Sequence, residues 1–370
     1  MGETTTLGDV VDILTGYPFK SADFTQNPED VPLLRGDNVV QRRIRWDGVQ
    51  RWPRSGAESF AQYRLALGDV VLAMDRPWIE AGLKVSDVRE GAIGALLVQR
   101  VARLRAKDGL DQGYLKWLLY ERRFTDHILG VQTGTAVPHI SKTQIQNYRV
   151  SLPPLDEQRR IASALGAFED LIHTNHRLVD GLWQRAAAAY QAAAASGELS
   201  VLSEHIELKY GKAMPARDRR PGPHPVVSSA GIVDHSDAVL ARGPGVVVGR
   251  KGTVGSVTWV FDDFFPIDTA FFVATDLPMA YAYFALRDAG LEHMNTDSAV
   301  PGLNRTNALS RLVAVPGTAR LEAFDREAQV YLSGVRALEG EIADLMRTRD
   351  ELLPLLMSSK IRVSESMAVT

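Results

Sequence analysis

Arginines interleaved with tryptophan are the residues of this chain best suited to hold another molecule. Arg42, Arg43 and Arg45 lead into Trp46, and Arg51, Trp52 and Arg54 follow closely. Guanidinium groups donate to phosphate oxygens and, two bonds at a time, to the edge of guanine, so such a cluster on a loop suits phosphate and base-edge contacts. The same run also reads as a solvated surface with tryptophan packed beneath. Lys209, Lys212, Arg217, Arg219 and Arg220 form the densest basic run and end in Pro221-Gly-Pro, a loop composition that fits either a solvated loop or a nucleic-acid contact. Gly249 to Gly255 is a glycine-punctuated turn whose amides, with Arg250 and Lys251, could sit against a phosphate or simply close a hairpin. Arg35, Asn38 and Arg76 complete the set, because arginine matches guanine and asparagine matches adenine.

Catalytic groupings are missing. A nuclease needs carboxylates clustered on magnesium with a lysine nearby, and Glu207-Leu-Lys209 stands without the expected upstream Pro-Asp. A GxxxxGK[ST] phosphate loop is absent, as is the Asn/Asp-Pro-Pro-aromatic tetrapeptide of an adenine methyltransferase; Leu152-Pro-Pro-Leu155 has neither end. With no cysteine there is no thiolate nucleophile and no cysteine-held zinc, and eight histidines are scattered. The residues therefore point to a chain that binds rather than reacts.

Bulk properties allow two domains. The 370 residues are 45% apolar, and with neither a secretion signal nor an 18-residue apolar stretch indicated, the chain is expected to be cytoplasmic and to have no membrane partner. The net charge of -3 argues against a wholly basic nucleic-acid binder, but it is uneven: residues 1–150 carry +2, and the segments 151–199 and 318–370 carry -2 each. Any nucleic-acid surface must then be a local patch.

The elements that would position such patches occur twice. Thr135 to Pro153, TAVPHISKTQIQNYRVSLP, aligns without a gap on Ser298 to Pro316, SAVPGLNRTNALSRLVAVP, with six of nineteen positions identical. Leu7 to Gly16 pairs more loosely with Leu202 to Gly211. Short β-branched runs at Asp69-Val-Val-Leu-Ala, Gly245-Val-Val-Val-Gly and Gly255-Ser-Val-Thr-Trp-Val predict strands, while Asp111 to Leu129 and Pro278 to Gly290 predict one helix in each copy. Without regular βαβ alternation, each globular unit is expected to be α+β. Thr135, His139 and Lys142, matched by Ser298, Asn304 and Arg305, stand where the chain leaves each unit; they could touch a phosphate backbone or cap the next helix.

After each junction the period becomes that of a coiled coil. Ile161, Leu165, Phe168, Ile172, Asn175, Val179 and Leu182 recur at steps of four and three, as do Leu321, Phe324, Tyr331, Val335, Leu338, Ile342 and Leu345, with Ala328 between. Asn175 and Arg349 interrupt the two seams and would fix register. Two matched seams in one chain predict an antiparallel pair. Helices of this length would form a rod of roughly 50 to 60 Å and so set a distance between two domains. The expected boundaries are 1–151 and 198–316 for the globular domains, 152–197 and 317–360 for the helices, and 361–370 for a flexible tail.

LPPLDEQRRIASALGAFEDLIHTN, Leu152 to Asn175, resembles the start of the first conserved helix of specificity subunits of Type I restriction-modification systems, and Gly134 to Pro153 is similar to that family's junction. The second junction, PGTARLEAF from Pro316 to Phe324, departs from the pattern, which puts the symmetry of partner contact in question. The resemblance implies two tandem target-recognition domains, each reading half of a split asymmetric sequence in double-stranded DNA, with paired helices as a ruler. It implies docking of two adenine methyltransferase subunits, and of a motor-nuclease subunit, which bring S-adenosylmethionine, ATP and magnesium; this chain holds no cofactor or metal and is no enzyme. The first helix would carry partner contacts at Leu155, Gln158, Arg159, Arg177 and Arg185. The rival expectations are a bivalent coiled-coil scaffold for proteins and a DNA reader in another modification or defence system.

Overall fold

Valine runs bounded by glycine and aspartate become the central strands of both halves of the chain. A computed structural model describes residues 4–79, 82–133, 138–294 and 302–363. They form two compact units, Met1–Ile172 with Asp344–Thr370, and His173–Ala343, so each unit takes one end of both long helices.

In the first unit four strands pair antiparallel in the order Val85–Asp87, Val70–Ala73, Val101–Ala106, Val11–Thr15. Val70–Ala73 is buried at every residue, which suits an all-apolar run with a neighbour on each side. Against this sheet lies the helix Gln112–Tyr120, whose N-cap Asp111 accepts from the Tyr114 amide at 2.9 Å and which buries Tyr114, Leu115, Trp117, Leu118 and Leu119. The single helix expected over Asp111 to Leu129 is in fact two. Glu121 stands in an extended conformation, and the chain restarts as Arg122–Val131 to bury Phe124 and Ile128. The unit also holds a three-stranded sheet, Leu96–Leu97, Val31–Leu34 and Arg51–Trp52, and two short hairpins, Val39–Val40 with Arg43–Ile44 and Trp78–Ile79 with Gly82–Leu83.

The second unit repeats this plan strand for strand: Val257–Val260, Gly245–Gly249, Ala270–Thr275, Ile206–Tyr210, with a three-stranded sheet Phe265–Pro266, His224–Ser228, Gly231–Ser236. In each unit an initial strand pairs with the strand entering the long helix, Thr4–Thr6 with Arg149–Ser151 and Glu198–Val201 with Leu312–Val315. Two repeated glycines show why the alignment holds. A Cβ on Gly16 would lie 2.2 Å from the Val98 carbonyl oxygen, and one on Gly211 would lie 2.1 Å from that of Ile267, so neither position accepts a side chain.

The long helices are Leu155–Ala194 and Thr318–Met357, each of forty residues, and they keep the 163-residue spacing of the repeat at both ends. The first begins with Asp156 and Glu157, which suit the positive end of the helix dipole. They run antiparallel, as the cores show. In the first unit Ile161 and Leu165 share a cluster with Leu353 and Leu356; in the second Ala186, Tyr190 and Ala193 share one with Phe324, Ala328 and Leu332. Full burial of a leucine such as Leu165 contributes about 1.5 to 3 kcal/mol. Of the seam residues, Ile161, Leu165, Ile172, Val179, Phe324, Val335 and Ile342 are buried, while Leu182, Leu321, Tyr331, Leu338 and Leu345 are half-buried. Phe168 is also half-buried, and its neighbour Glu169 takes the interior position. Asn175 is buried with its amide nitrogen unpartnered among the described residues.

Candidate nucleic-acid interface

In each unit the turn after the central strand is tied to the segment that leads into the junction helix. The Ile140 amide donates to the Met74 carbonyl at 2.9 Å in the first unit, and the Leu303 amide donates to the Arg250 carbonyl at 2.8 Å in the second. Isolated bridges Asp75 to His139 and Lys251 to Gly302 extend the same contact. The next residue is left-handed in both turns, Arg76 at φ 44° and Gly252 at φ 81°. An arginine held where glycine is the easy choice carries a conformational cost, which marks the Arg76 side chain as the reason for its presence.

Around the first turn the structure gathers four cations. Lys84, 7% exposed, has Asp37, Arg76, Asp75 and Arg45 as its charged neighbours. Burial, then the nearby arginines, hold its ammonium below the usual lysine range. Its ammonium makes no hydrogen bond or ion pair among the described residues. Arg35 pairs with Asp37 at 3.5 Å, and Arg45 and Arg76 are exposed. Lys84 escaped the sequence reading because a lone lysine between Leu83 and Val85 looks like any strand residue.

Several expectations are corrected here. Asn38 is no base reader: it is buried, its Oδ1 accepts from the Arg35 amide and its Nδ2 donates to the Arg45 carbonyl, both at 3.0 Å, so it shapes the loop that presents those arginines. Arg42 is drawn inward onto the Tyr120 ring, 5.1 Å from its centroid, and its Nη1 donates to Asp350 at 2.5 Å, whereas Arg43 is exposed. Trp46 and Trp52 pack beneath rather than beside the arginines, Trp52 against Phe19 and Phe60. In the second unit Arg219 is consumed by the Met214 carbonyl and by Asp234 at 3.0 Å. Arg217 pairs with Asp218 at 3.7 Å and Arg220 is exposed.

The junction residues divide by role. Thr135 and Ser298 lie outside the described residues. The helix caps are Ser141, accepting from Gln144, and Asn304, accepting from Asn307, at matched places in the repeat. Lys142 is exposed at the start of its short helix, and the His139 Nε2 meets Thr133 Oγ1 at 3.0 Å. Arg250 and Arg305 come together over the ring of Tyr210, an aromatic residue that the sequence reading did not include, and Lys251 follows Arg250 in the turn bridged to Gly302.

On the first long helix Gln158 must be withdrawn from the partner surface. It is 1% exposed, accepts from the Asp111 amide at 2.8 Å, and donates to the carbonyls of Gly109 and Pro153. It fastens the helix to its own domain. Leu155, Arg159, Arg177 and Arg185 stay exposed, Arg159 in a 3.3 Å pair with Asp156. Leu171 and Leu178 are also exposed on this helix and were missed. Among the described residues no histidine and carboxylate cluster could hold a metal, and no helix is long and apolar enough to cross a membrane.

Residues 2–182 match the family described as Type I restriction modification DNA specificity domain. The chain is 32% identical over 176 residues to the Type I restriction enzyme MjaVIII specificity subunit of Methanocaldococcus jannaschii, a match covering 47% of this chain and 41% of that protein. It is 31% identical over 172 residues to the Type I restriction enzyme EcoAI specificity subunit of Escherichia coli, covering 46% and 28%. The matches thus span less than half the length of those relatives. In fold it is similar to the crystal structure of the S subunit of a Type I restriction-modification system from M. genitalium, with a TM-score of 0.58, 14% identity, and coverage of 96% of this chain and 95% of that one.

Proposed function

We propose that the whole chain is the DNA-reading specificity subunit of a Type I restriction-modification complex, a reading supported by the match of residues 2–182 to the Type I restriction modification DNA specificity domain. Each unit reads one half of a split target in double-stranded DNA, and the paired helices hold the two readers at a fixed separation. The observation that carries this reading is the duplicated turn, Met74 to Arg76 and Arg250 to Gly252, set against each junction and surrounded by cations. Major-groove reading needs such local basic surfaces on a rigid scaffold, and the modest overall charge is no obstacle when the cations are gathered.

The chain acts without catalysis of its own. Adenine methyltransferase subunits, two per complex, dock on the exposed helix faces, and a motor-nuclease subunit joins them; S-adenosylmethionine, ATP and magnesium belong to those partners, and the complex works in the cytoplasm. Methylome sequencing of a host expressing this chain with its neighbouring methyltransferase tests the reading. The expected result is adenine methylation in two short half-sites around a fixed spacer, present only with this chain. Unchanged methylation, with the same methyltransferase active through another specificity subunit, would overturn it and favour a protein-binding scaffold.

A further inference from the structure

Tyr210, at the end of an edge strand, is 52% exposed, and two arginines from distant parts of the second unit lie against its ring. The Arg250 guanidinium carbon is 5.0 Å from the ring centroid and that of Arg305 is 5.5 Å away; Arg250 also lies 5.9 Å from Phe271, which meets Tyr210 edge-on at 5.0 Å. Each guanidinium spends one N–H on a main-chain carbonyl, Arg250 on Asp268 at 3.1 Å and Arg305 on Leu208 at 3.4 Å. The turn beneath is stiff, since the amides of Arg250 and Lys251 both donate to the Thr269 carbonyl. Lys212, two residues beyond Tyr210, and Lys251 are exposed.

None of Arg250, Lys251, Arg305 and Lys212 forms an ion pair among the described residues. Elsewhere in the unit Arg219 has Asp234, Lys209 has Glu207 and Arg336 has Asp262. Two guanidinium groups drawn to one ring repel each other, and at an exposed site the ring quadrupole offsets only part of that. An anion between them would remove the repulsion and use the N–H groups left over.

We propose that Tyr210, Arg250 and Arg305 form a backbone clamp of the second unit, which grips a DNA phosphate through the two guanidinium groups and thereby sets the register in which other residues read bases. The inference rests on the DNA-reading function proposed above. Phosphate fits better than a base edge because the arginine planes are already fixed by ring and main chain, and phosphate contacts position the protein without reading sequence.

The test uses the complex of this chain with its methyltransferase, a duplex carrying the motif found by methylation mapping, and a random-sequence duplex of equal length. Arg250→Gln with Arg305→Gln is expected to lower the salt slope of binding by about 0.9, one lost phosphate contact, and, extrapolating that slope from about 1 M, the affinity at about 0.1 M salt by roughly 8-fold on both duplexes. Arg250→Lys with Arg305→Lys should keep most of the slope, and Tyr210→Phe should bind like the parent while Tyr210→Leu weakens binding. An unchanged slope in a glutamine variant that still co-elutes with the methyltransferase overturns the clamp. So does a methylation motif relaxed at one base pair with random-sequence binding intact, which would make these arginines base readers. If the parent complex itself shows no salt-dependent DNA binding, the functional reading fails with the clamp.

Discussion

Glu169 and Arg349, 180 residues apart in sequence, form a buried ion pair between the two long helices of the first unit. Arg349 also donates to Asp350 at 2.9 Å, and Arg89 reaches Glu169 at 3.6 Å and Asp87 at 3.4 Å. The repeat spacing of 163 residues carries Glu169 to Leu332 and Arg349 to Ala186, both buried and apolar in the second unit. One crossing of the pseudo-symmetric pair is therefore ionic and the other oily. Removing one partner leaves an uncompensated buried charge, so Arg349→Ala should cost about 3 to 5 kcal/mol, whereas Glu169→Leu with Arg349→Ala, which copies the other unit, should recover most of it. Chemical unfolding of the three proteins checks this.

Asp350 gives the same unit a pH dependence. Burial alone would raise its carboxyl, but hydrogen bonds from Arg349 and Arg42 hold it below its ordinary 3.8. A depressed pKa means that the ionised form stabilises the fold at all pH values above about 3.8, and that this contribution is lost as pH falls through the folded value. Thermal melts between pH 6 and 3 should show a shallower acid limb for Asp350→Asn than for the parent; superimposable limbs would mean that the contact contributes nothing.

Arg76 separates stability from binding. Arg76→Gly removes the cation but suits the left-handed backbone, as Gly252 does at the matching turn. The expected outcome is stability equal to or about 1 kcal/mol above the parent, with weaker DNA binding by the complex. Undiminished binding would remove Arg76 from the interface.

Lys84 should behave as a phosphate contact. Lys84→Met preserves its apolar stem while deleting the ammonium, so the fold should gain a little from the lost desolvation cost, and the salt slope should fall by about one. A titration of binding against salt reads this directly.

Gln158→Ala would break three hydrogen bonds at the root of the first long helix. A buried amide and carbonyls left unpaired cost about 1 to 3 kcal/mol each at most, so the melting temperature should drop while the methyltransferase still co-purifies. Loss of the partner at unchanged stability would instead restore Gln158 to the docking surface.

Repetition and periodicity were legible in the chain by itself. A gapless repeat of nineteen residues located both junctions, and apolar steps of four and three located both helices, because these are local spacings that backbone geometry translates directly into structure. Valine runs likewise marked the strands Val70–Ala73 and Gly245–Gly249. Which polar side chains face outward was not legible, since that depends on partners far away in sequence. Asn38, Arg42, Gln158 and Arg219 have the right chemistry for a ligand but are spent on the fold, while Lys84 and Tyr210 acquire their surroundings only when loops from three or more segments converge. Residue type sets what a side chain can bind, and tertiary packing decides whether its donors remain free to do so.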